Sequence, residues 1–190
     1  MYKLFFKRLF DFIFALLGLL VFSGVLIVIY ILASWDSRSN GLFFQQRIGQ
    51  CGRAFIIYKF KTLHSQTRQI SGIGRFLRNS KLDELPQLWN VLIGDMSFVG
   101  PRPDIPGYYD KLEGENRKIL ELKPGITSEA SIKYRDEEAL LAKQREPLQY
   151  NDEVIFPDKV RMNLEYYHRR SFWGDIKIIW RTFFISFKKS

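Results

Sequence analysis

The chain has one cysteine and two histidines among its 190 residues. A lone Cys51 excludes an intrachain disulfide. Its setting, Gly49-Gln50-Cys51-Gly52, reads as a turn, and the domain is expected in the cytosol. His64 and His168 alone argue against a zinc site or a Ser-His-Asp triad, which leaves carboxylates to carry any catalysis. Internal repeats, low-complexity tracts and recognised nucleic-acid motifs are also missing. Negative charge is in short supply. The 20 Asp and Glu face 29 Lys and Arg, and the balance of +9 predicts attraction to a polyanion: nucleic acid, an anionic membrane surface or a phosphate-bearing substrate. With 46% apolar and 26% charged content, the composition suits one globular core.

What the sequence does have is an uncharged run over residues 12–33. As a helix it rises about 33 Å, the hydrocarbon thickness of a bilayer. A cleaved signal peptide is disfavoured by the length of the run and by bulky Trp35 after it; a core helix of such purity would be unusual in so small a domain. Cations stand on both flanks, Lys3, Lys7 and Arg8 before and Arg38, Arg47 and Arg53 after, so the positive-inside rule asks for both ends on the cytoplasmic side. Ser23-Gly24 at the middle of the run is a place for the helix to bend. A re-entrant helix satisfies both observations, and a simple span with a tolerated Gly is the alternative. At the far end, Ile176, Ile179, Trp180, Phe183, Phe184 and Phe187 form an amphipathic stripe, with Lys177, Arg181 and Lys188 off it and Lys188-Lys189 terminal. That helix, over residues 175–188, either lies in the membrane interface or packs on the core.

Between these elements, Phe43-Phe44 and residues 55–60 make two aromatic runs about the 49–52 turn, a hairpin pattern. Lys59 and Lys61 would share one strand face, either as a solvated face or as cations presented to phosphate. A short amphipathic helix is expected around Ile73, Phe76 and Leu77, carrying Arg75 and Arg78. Residues 80–103 hold the densest pattern. Leu85, Leu88, Trp89 and Leu92 form a helical stripe ending at Gly94, and Pro86 requires the helix to begin close to Asp83. Asp83 then has two readings. It is the helix N-cap, or with Ser80 the acidic member of a capping box. Or it is an ionised carboxylate held at a phosphate-friendly helix end, able to attack phosphorus while Glu84 serves as base or metal ligand. Gly100-Pro101-Arg102-Pro103 is a stiff turn, and Arg102 on it is either a surface residue or a planar fork for a diphosphate.

The sequence resembles the bacterial sugar transferases, the monotopic phosphoglycosyl transferases. The matching residues are Lys7-Arg8, Asp11-Phe12, Gln46-Arg47-x-Gly49, Tyr58-Lys59-Phe60-Lys61-Thr62 and Leu82-Asp83-Glu84-Leu85-Pro86-Gln87-Leu88. Gly94-Asp95-Met96-Ser97-Phe98-Val99-Gly100-Pro101-Arg102-Pro103 and Lys123-Pro124-Gly125-Ile126-Thr127 complete the series, which covers essentially the whole chain in order. The resemblance implies a small, helix-rich α/β fold: a re-entrant membrane helix over residues 1–35 and a cytoplasmic catalytic domain over 36–190 with interfacial amphipathic helices. It implies transfer of a sugar-1-phosphate from a UDP-sugar to polyprenyl (undecaprenyl) phosphate at the bacterial inner membrane, with release of UMP, as the start of polysaccharide or glycoconjugate assembly. Asp83 would be the nucleophile of a covalent sugar-phosphoryl aspartate and a ligand of Mg2+. Glu84 would assist acceptor activation or coordinate substrate, and Lys59, Arg78 and Arg102 would face phosphate. Three departures stand out. Ser23-Gly24 replaces the usual Ser-Pro of the bend. Asn163, a possible substrate contact, replaces an Asp of compact members. The run after Thr127, expected to bear on sugar selection, is Ser128-Glu129-Ala130-Ser131-Ile132-Lys133-Tyr134-Arg135-Asp136-Glu137-Glu138. Two rival readings are a membrane-anchored basic scaffold or nucleic-acid-binding module, supported only by charge and aromatics, and a transferase using direct displacement with Asp83 as metal ligand alone.

Overall fold

The computed structural model describes residues 5–187 and is helix-rich with two small sheets, consistent with the α/β expectation. Lys3, Lys188, Lys189 and the side chain of Phe187 lie outside the described part. The apolar run forms two helices, α1 (Lys7–Val21) and α2 (Ser23–Ser37), bent by 66°. The break falls at Phe22, one residue ahead of the anticipated Ser23-Gly24, and the Ser23 hydroxyl donates to the Leu20 carbonyl at 2.8 Å. Gly24 stands in open space, so close packing does not require it. Among the described residues no single helix is long and apolar enough to cross a membrane, whereas the bent pair passes by length and composition together.

Both limbs of the pair are fastened to the same body. Arg8 donates to the carbonyls of Val91 and Leu92 at 2.6 and 2.7 Å, and Lys7 pairs with buried Asp175 at 2.5 Å. On the other limb, the Ser71 hydroxyl donates to Asp36 at 2.5 Å, and the Ser65 amide donates to the Ser37 carbonyl at 3.0 Å. Ala15 packs with Ile57, Val91 and Met96, while Ile29 and Ala33 pack with Phe60 and Leu77. Leu20, Val21 and Ile27 near the bend are exposed. Lys7 and Arg8 are therefore internally committed, which a charge count along the sequence does not reveal.

Strands β1 (Leu42–Ile48) and β2 (Ala54–Phe60) form the expected antiparallel hairpin, in register from Leu42 opposite Phe60 to Ile48 opposite Ala54. Cys51 sits exposed in the connecting turn. The outer edge of β2 meets a side chain instead of a third strand. Asn90, fully buried, accepts from the Tyr58 amide at 3.1 Å and donates to the Ile56 carbonyl at 2.7 Å, supplying the donor and acceptor a neighbouring strand would offer. Asn90 belongs to α4 (Gln87–Ile93), preceded in the chain by α3 (Gly72–Asn79), whose Ser71 cap accepts from the Gly74 amide at 2.8 Å. Trp89, included in the sequence stripe, points outward at 49% exposure; Leu88, Asn90 and Val91 form the buried face.

A second sheet pairs β3 (Ser97–Val99) with β4 (Gly125–Thr127) in parallel. Here the backbones of Gly100 and Gly125 nearly touch: a Cβ on Gly125 would lie 2.1 Å from the Gly100 nitrogen. Only glycine fits, and the contact pins the start of the Pro101-Arg102-Pro103 turn. The chain continues through α5 (Glu129–Lys133), α6 (Glu137–Leu141), α7 (Pro147–Tyr150), α8 (Phe156–Arg169) and α9 (Phe172–Phe187). Asp175 and Ile178 make the buried face of α9, and Thr182 reaches Thr127 at 2.6 Å. Trp180 is 63% exposed, and Phe183 and Phe184 are more than half exposed, so the aromatic stripe faces away from the core.

Candidate active site

The chain leaves α3 through Lys81, held in the left-handed region at φ 58°, and makes one 3-10 turn over Leu82–Glu84 before Pro86 starts α4. That detour separates Asp83 from the helix it was expected to cap. Ser80 makes no capping box; its hydroxyl turns back to the Phe76 carbonyl at 2.7 Å. Asp83 caps nothing, and its Oδ1 is buried without a hydrogen-bond partner. A carboxylate oxygen desolvated in this way costs free energy that a local role does not offset.

Glu84 has the opposite environment. Its Oε1 accepts from Lys59 Nζ at 2.8 Å and from Arg102 Nη2 at 2.7 Å, with the side chain only 11% exposed. Burial alone would raise its pKa, but Arg102 and Lys59 outweigh that and hold it at about 2. For Asp83, burial and the neighbouring Glu84 charge push the pKa up to about 6, against the weaker pull of Lys59, Lys81 and Arg78. Adjacent carboxylates driven apart in this manner are suited to different tasks. Glu84 is a fixed anion that takes no proton at neutral pH, whereas Asp83 is mostly ionised there and has an oxygen to spare.

Both carboxylates open onto a groove of about 1620 Å³ that also takes in Lys59, Lys61, Arg78, Arg102 and Asn163. The structure thus places the six candidate site residues Asp83, Glu84, Lys59, Arg78, Arg102 and Asn163 along one groove, several with contacts of their own. Arg78 Nε donates to Thr62 Oγ1 at 2.9 Å, and Lys61 Nζ donates to Ser39 Oγ at 2.7 Å. Asn163 is buried and donates to the Tyr109 hydroxyl at 2.8 Å; burial raises the pKa of that phenol. The segment after Thr127 contributes Tyr134 and Glu137 to the lining, the latter accepting from Lys159 at both carboxylate oxygens.

Among the described residues no group of three or more His, Cys, Asp or Glu is placed to hold a metal ion. Magnesium does not need one, since it commonly takes one or two protein carboxylates and completes its shell with water and substrate phosphate. The unpartnered Oδ1 of Asp83 fits that requirement, and Glu84 is occupied by two cations.

The family model of the bacterial sugar transferases matches residues 2–189. The chain belongs to the bacterial sugar transferase family. Among curated relatives, the galactosyl transferase CpsE of Streptococcus agalactiae is 31% identical over 93% of this chain and 41% of its own length. A UDP-glucose:undecaprenyl-phosphate glucose-1-phosphate transferase of Klebsiella pneumoniae is 32% identical over 96% of this chain and 40% of its own. The putative undecaprenyl-phosphate N-acetylgalactosaminyl 1-phosphate transferase of Bacillus subtilis is 36% identical over 57% of this chain and 68% of its own. The chain spans about two fifths of the length of the first two relatives.

Membership in the bacterial sugar transferases leaves several residues to be found by structure. Thr62 and Arg47 lie in motifs legible in the sequence, yet nothing there shows that Thr62 orients Arg78 or that Arg47 reaches the groove. Tyr109 and Lys159 carried no signal, and although Glu137 lay in the run expected to bear on sugar selection, its pairing with Lys159 depends on how α6 and α8 pack.

Proposed function

We propose that this chain transfers a sugar-1-phosphate from a UDP-sugar to polyprenyl phosphate, the membrane step that starts polysaccharide or glycoconjugate assembly. The observation that carries the reading is the buried, unpartnered Asp83 oxygen in a cation-lined groove beside a Glu84 already neutralised by Lys59 and Arg102. The names of the Klebsiella and Bacillus relatives specify undecaprenyl phosphate and a sugar-1-phosphate, in agreement with it.

In the first half-reaction an Asp83 oxygen attacks the sugar-bearing phosphorus. The phosphorus–oxygen bond to the nucleotide breaks, and UMP leaves with that bond's electron pair. In the second, a phosphate oxygen of the polyprenyl acceptor attacks the same phosphorus, and the Asp83 carboxylate departs to give polyprenyl-diphospho-sugar. Lys59, Arg78 and Arg102 orient the phosphates and offset charge spreading over their oxygens. Glu84 keeps Lys59 and Arg102 on a common axis. Mg2+, held by Asp83 when bound, would add Lewis-acid stabilisation of the phosphoryl oxygens. The deciding assay incubates the purified membrane protein with magnesium, polyprenyl phosphate and a panel of UDP-sugars and measures UMP. Release with at least one sugar is expected; none with any would favour a scaffold.

We also propose that the α1–α2 pair enters and leaves the same leaflet of the cytoplasmic membrane, with the catalytic domain on the cytoplasmic face beside the aromatic side of α9. The 66° bend, the exposed apolar apex and the attachment of both limbs to one body support this. In a Cys51→Ser background, Phe5→Cys and Ser39→Cys, introduced one at a time, should be labelled from the same side of sealed vesicles. Labelling from opposite sides would establish a simple span.

A further inference from the structure

A second cavity, of about 480 Å³, opens off the groove, and Arg47, Arg102, Tyr109 and Lys159 border both. Beyond that shared mouth its walls come from Asp104 and Tyr108, after the Pro101-Arg102-Pro103 turn, and from Leu148, Asn151 and Phe156. The Tyr108 and Phe156 rings meet edge-on at 5.0 Å, giving the interior an aromatic side, while Asn151 gives it an amide. Its size is within the range of sites that enclose a small organic ligand.

Arg47 is the least satisfied group at the mouth. Its Nη2 donates to Gln45 Oε1 at 2.7 Å and its Nη1 stands 3.9 Å from Asp104, but its Nε is buried with no acceptor. A buried guanidinium N–H left without a partner has a cost that a ligand oxygen would remove. Arg102 and Lys159 stand at the same opening, anchored by Glu84 and Glu137 respectively. Cations gather on the side shared with the groove, and aromatic rings and an amide line the rest of the cavity.

Resting on the transferase reading above, the geometry points to this side cavity as the nucleoside site of the donor, with Arg47 receiving the phosphate of the departing nucleoside monophosphate. In-line displacement puts the leaving group on the face of phosphorus opposite the attacking Asp83 oxygen. The leaving group carries the negative charge that needs cations, whereas the sugar is neutral at that point and stays on the phosphorus being transferred. The aromatic rings and the amide suit a planar base and ribose, and about 480 Å³ is too small for a long polyprenyl chain. Arg47 is a binding residue for the leaving group in this arrangement, distinct from the carboxylate pair.

Calorimetric titration of the 190-residue chain with UMP and with inorganic phosphate, alongside steady-state kinetics, tests the assignment. Leu148 is 68% exposed, so Leu148→Trp can narrow the cavity without disturbing the core. It should weaken UMP about tenfold or more while leaving phosphate binding unchanged. Arg47→Gln should weaken both ligands by a similar factor. Each variant should raise the KM for UDP-sugar in proportion and leave the KM for polyprenyl phosphate within about twofold, which also reports that the fold is intact. Variants that bind UMP as the parent does, or that raise the acceptor KM instead, would overturn the nucleoside site and leave the transferase reading standing. A parent protein that binds no UMP and releases none would overturn both.

Discussion

Asp83→Asn should eliminate turnover, with kcat falling by at least about three orders of magnitude, because an amide oxygen is a poor nucleophile toward phosphorus. The same substitution should leave the protein at least as stable in magnesium-free buffer. Burial and Glu84 raise the pKa of Asp83, meaning that the folded state holds its charged form less favourably than the unfolded chain does. Removing the charge relieves that penalty, so melting temperature should rise or stay level while activity disappears. A substitution that cost both stability and activity would mark Asp83 as structural. Chemistry is separated from metal binding by a trapping experiment. Wild-type protein incubated with labelled UDP-sugar and no acceptor should release one equivalent of UMP and retain label, and Asp83→Asn should do neither. If UMP appears only when polyprenyl phosphate is present and no label is retained, transfer is direct and Asp83 acts on the metal alone.

Glu84→Gln should lower kcat by about two to three orders of magnitude, and its effect should already appear in the first half-reaction. Glu84 holds Lys59 and Arg102 through one oxygen. A neutral amide cannot balance both cations, so they would separate and lose their common aim at the donor phosphates. The single-turnover burst of UMP without acceptor should therefore slow as much as overall turnover. Were Glu84 instead the base that activates polyprenyl phosphate, the burst would keep its rate and only the second step would suffer. A side chain held at about 2 has little capacity for proton transfer at neutral pH, which is why the first outcome is expected.

Much of this was legible locally. The hairpin followed from two aromatic runs about a Gly-bounded turn, the short helix from Ile73, Phe76 and Leu77, and the sugar transferase family from motifs spread along the chain. What failed were inferences that needed distant partners. Pro86 did mark the start of α4, but the left-handed Lys81 turned Asp83 away from it, a backbone choice with no clear signature in a lysine. Periodicity identified the stripes around Trp89 and on α9 without revealing that Trp89 and the α9 aromatics face outward. Lys7 and Arg8 looked like flanking charges because their partners, Asp175 and the carbonyls at the end of α4, lie more than 80 positions away. Asn90 gave no hint of standing in for a strand.

The attachment of α1 to α4 has a further meaning for how two substrates of unlike solubility meet. Because Arg8 grips the end of the helix that follows Asp83 and Glu84, and Ala15 fills the core beneath Val91, the bent helix pair behaves as part of the catalytic frame and not as a tether. In a bilayer, the carboxylates would then ride at a set height above the acyl chains, with no swinging arm to adjust it. A polyprenyl phosphate would reach Asp83 by sliding sideways in its leaflet until its headgroup came level with the groove. A shortened chain without α1 and α2 would lose that alignment, and with it the partners of Val91, Met96, Phe60 and Leu77, so solubility gained by truncation would come with a broken core.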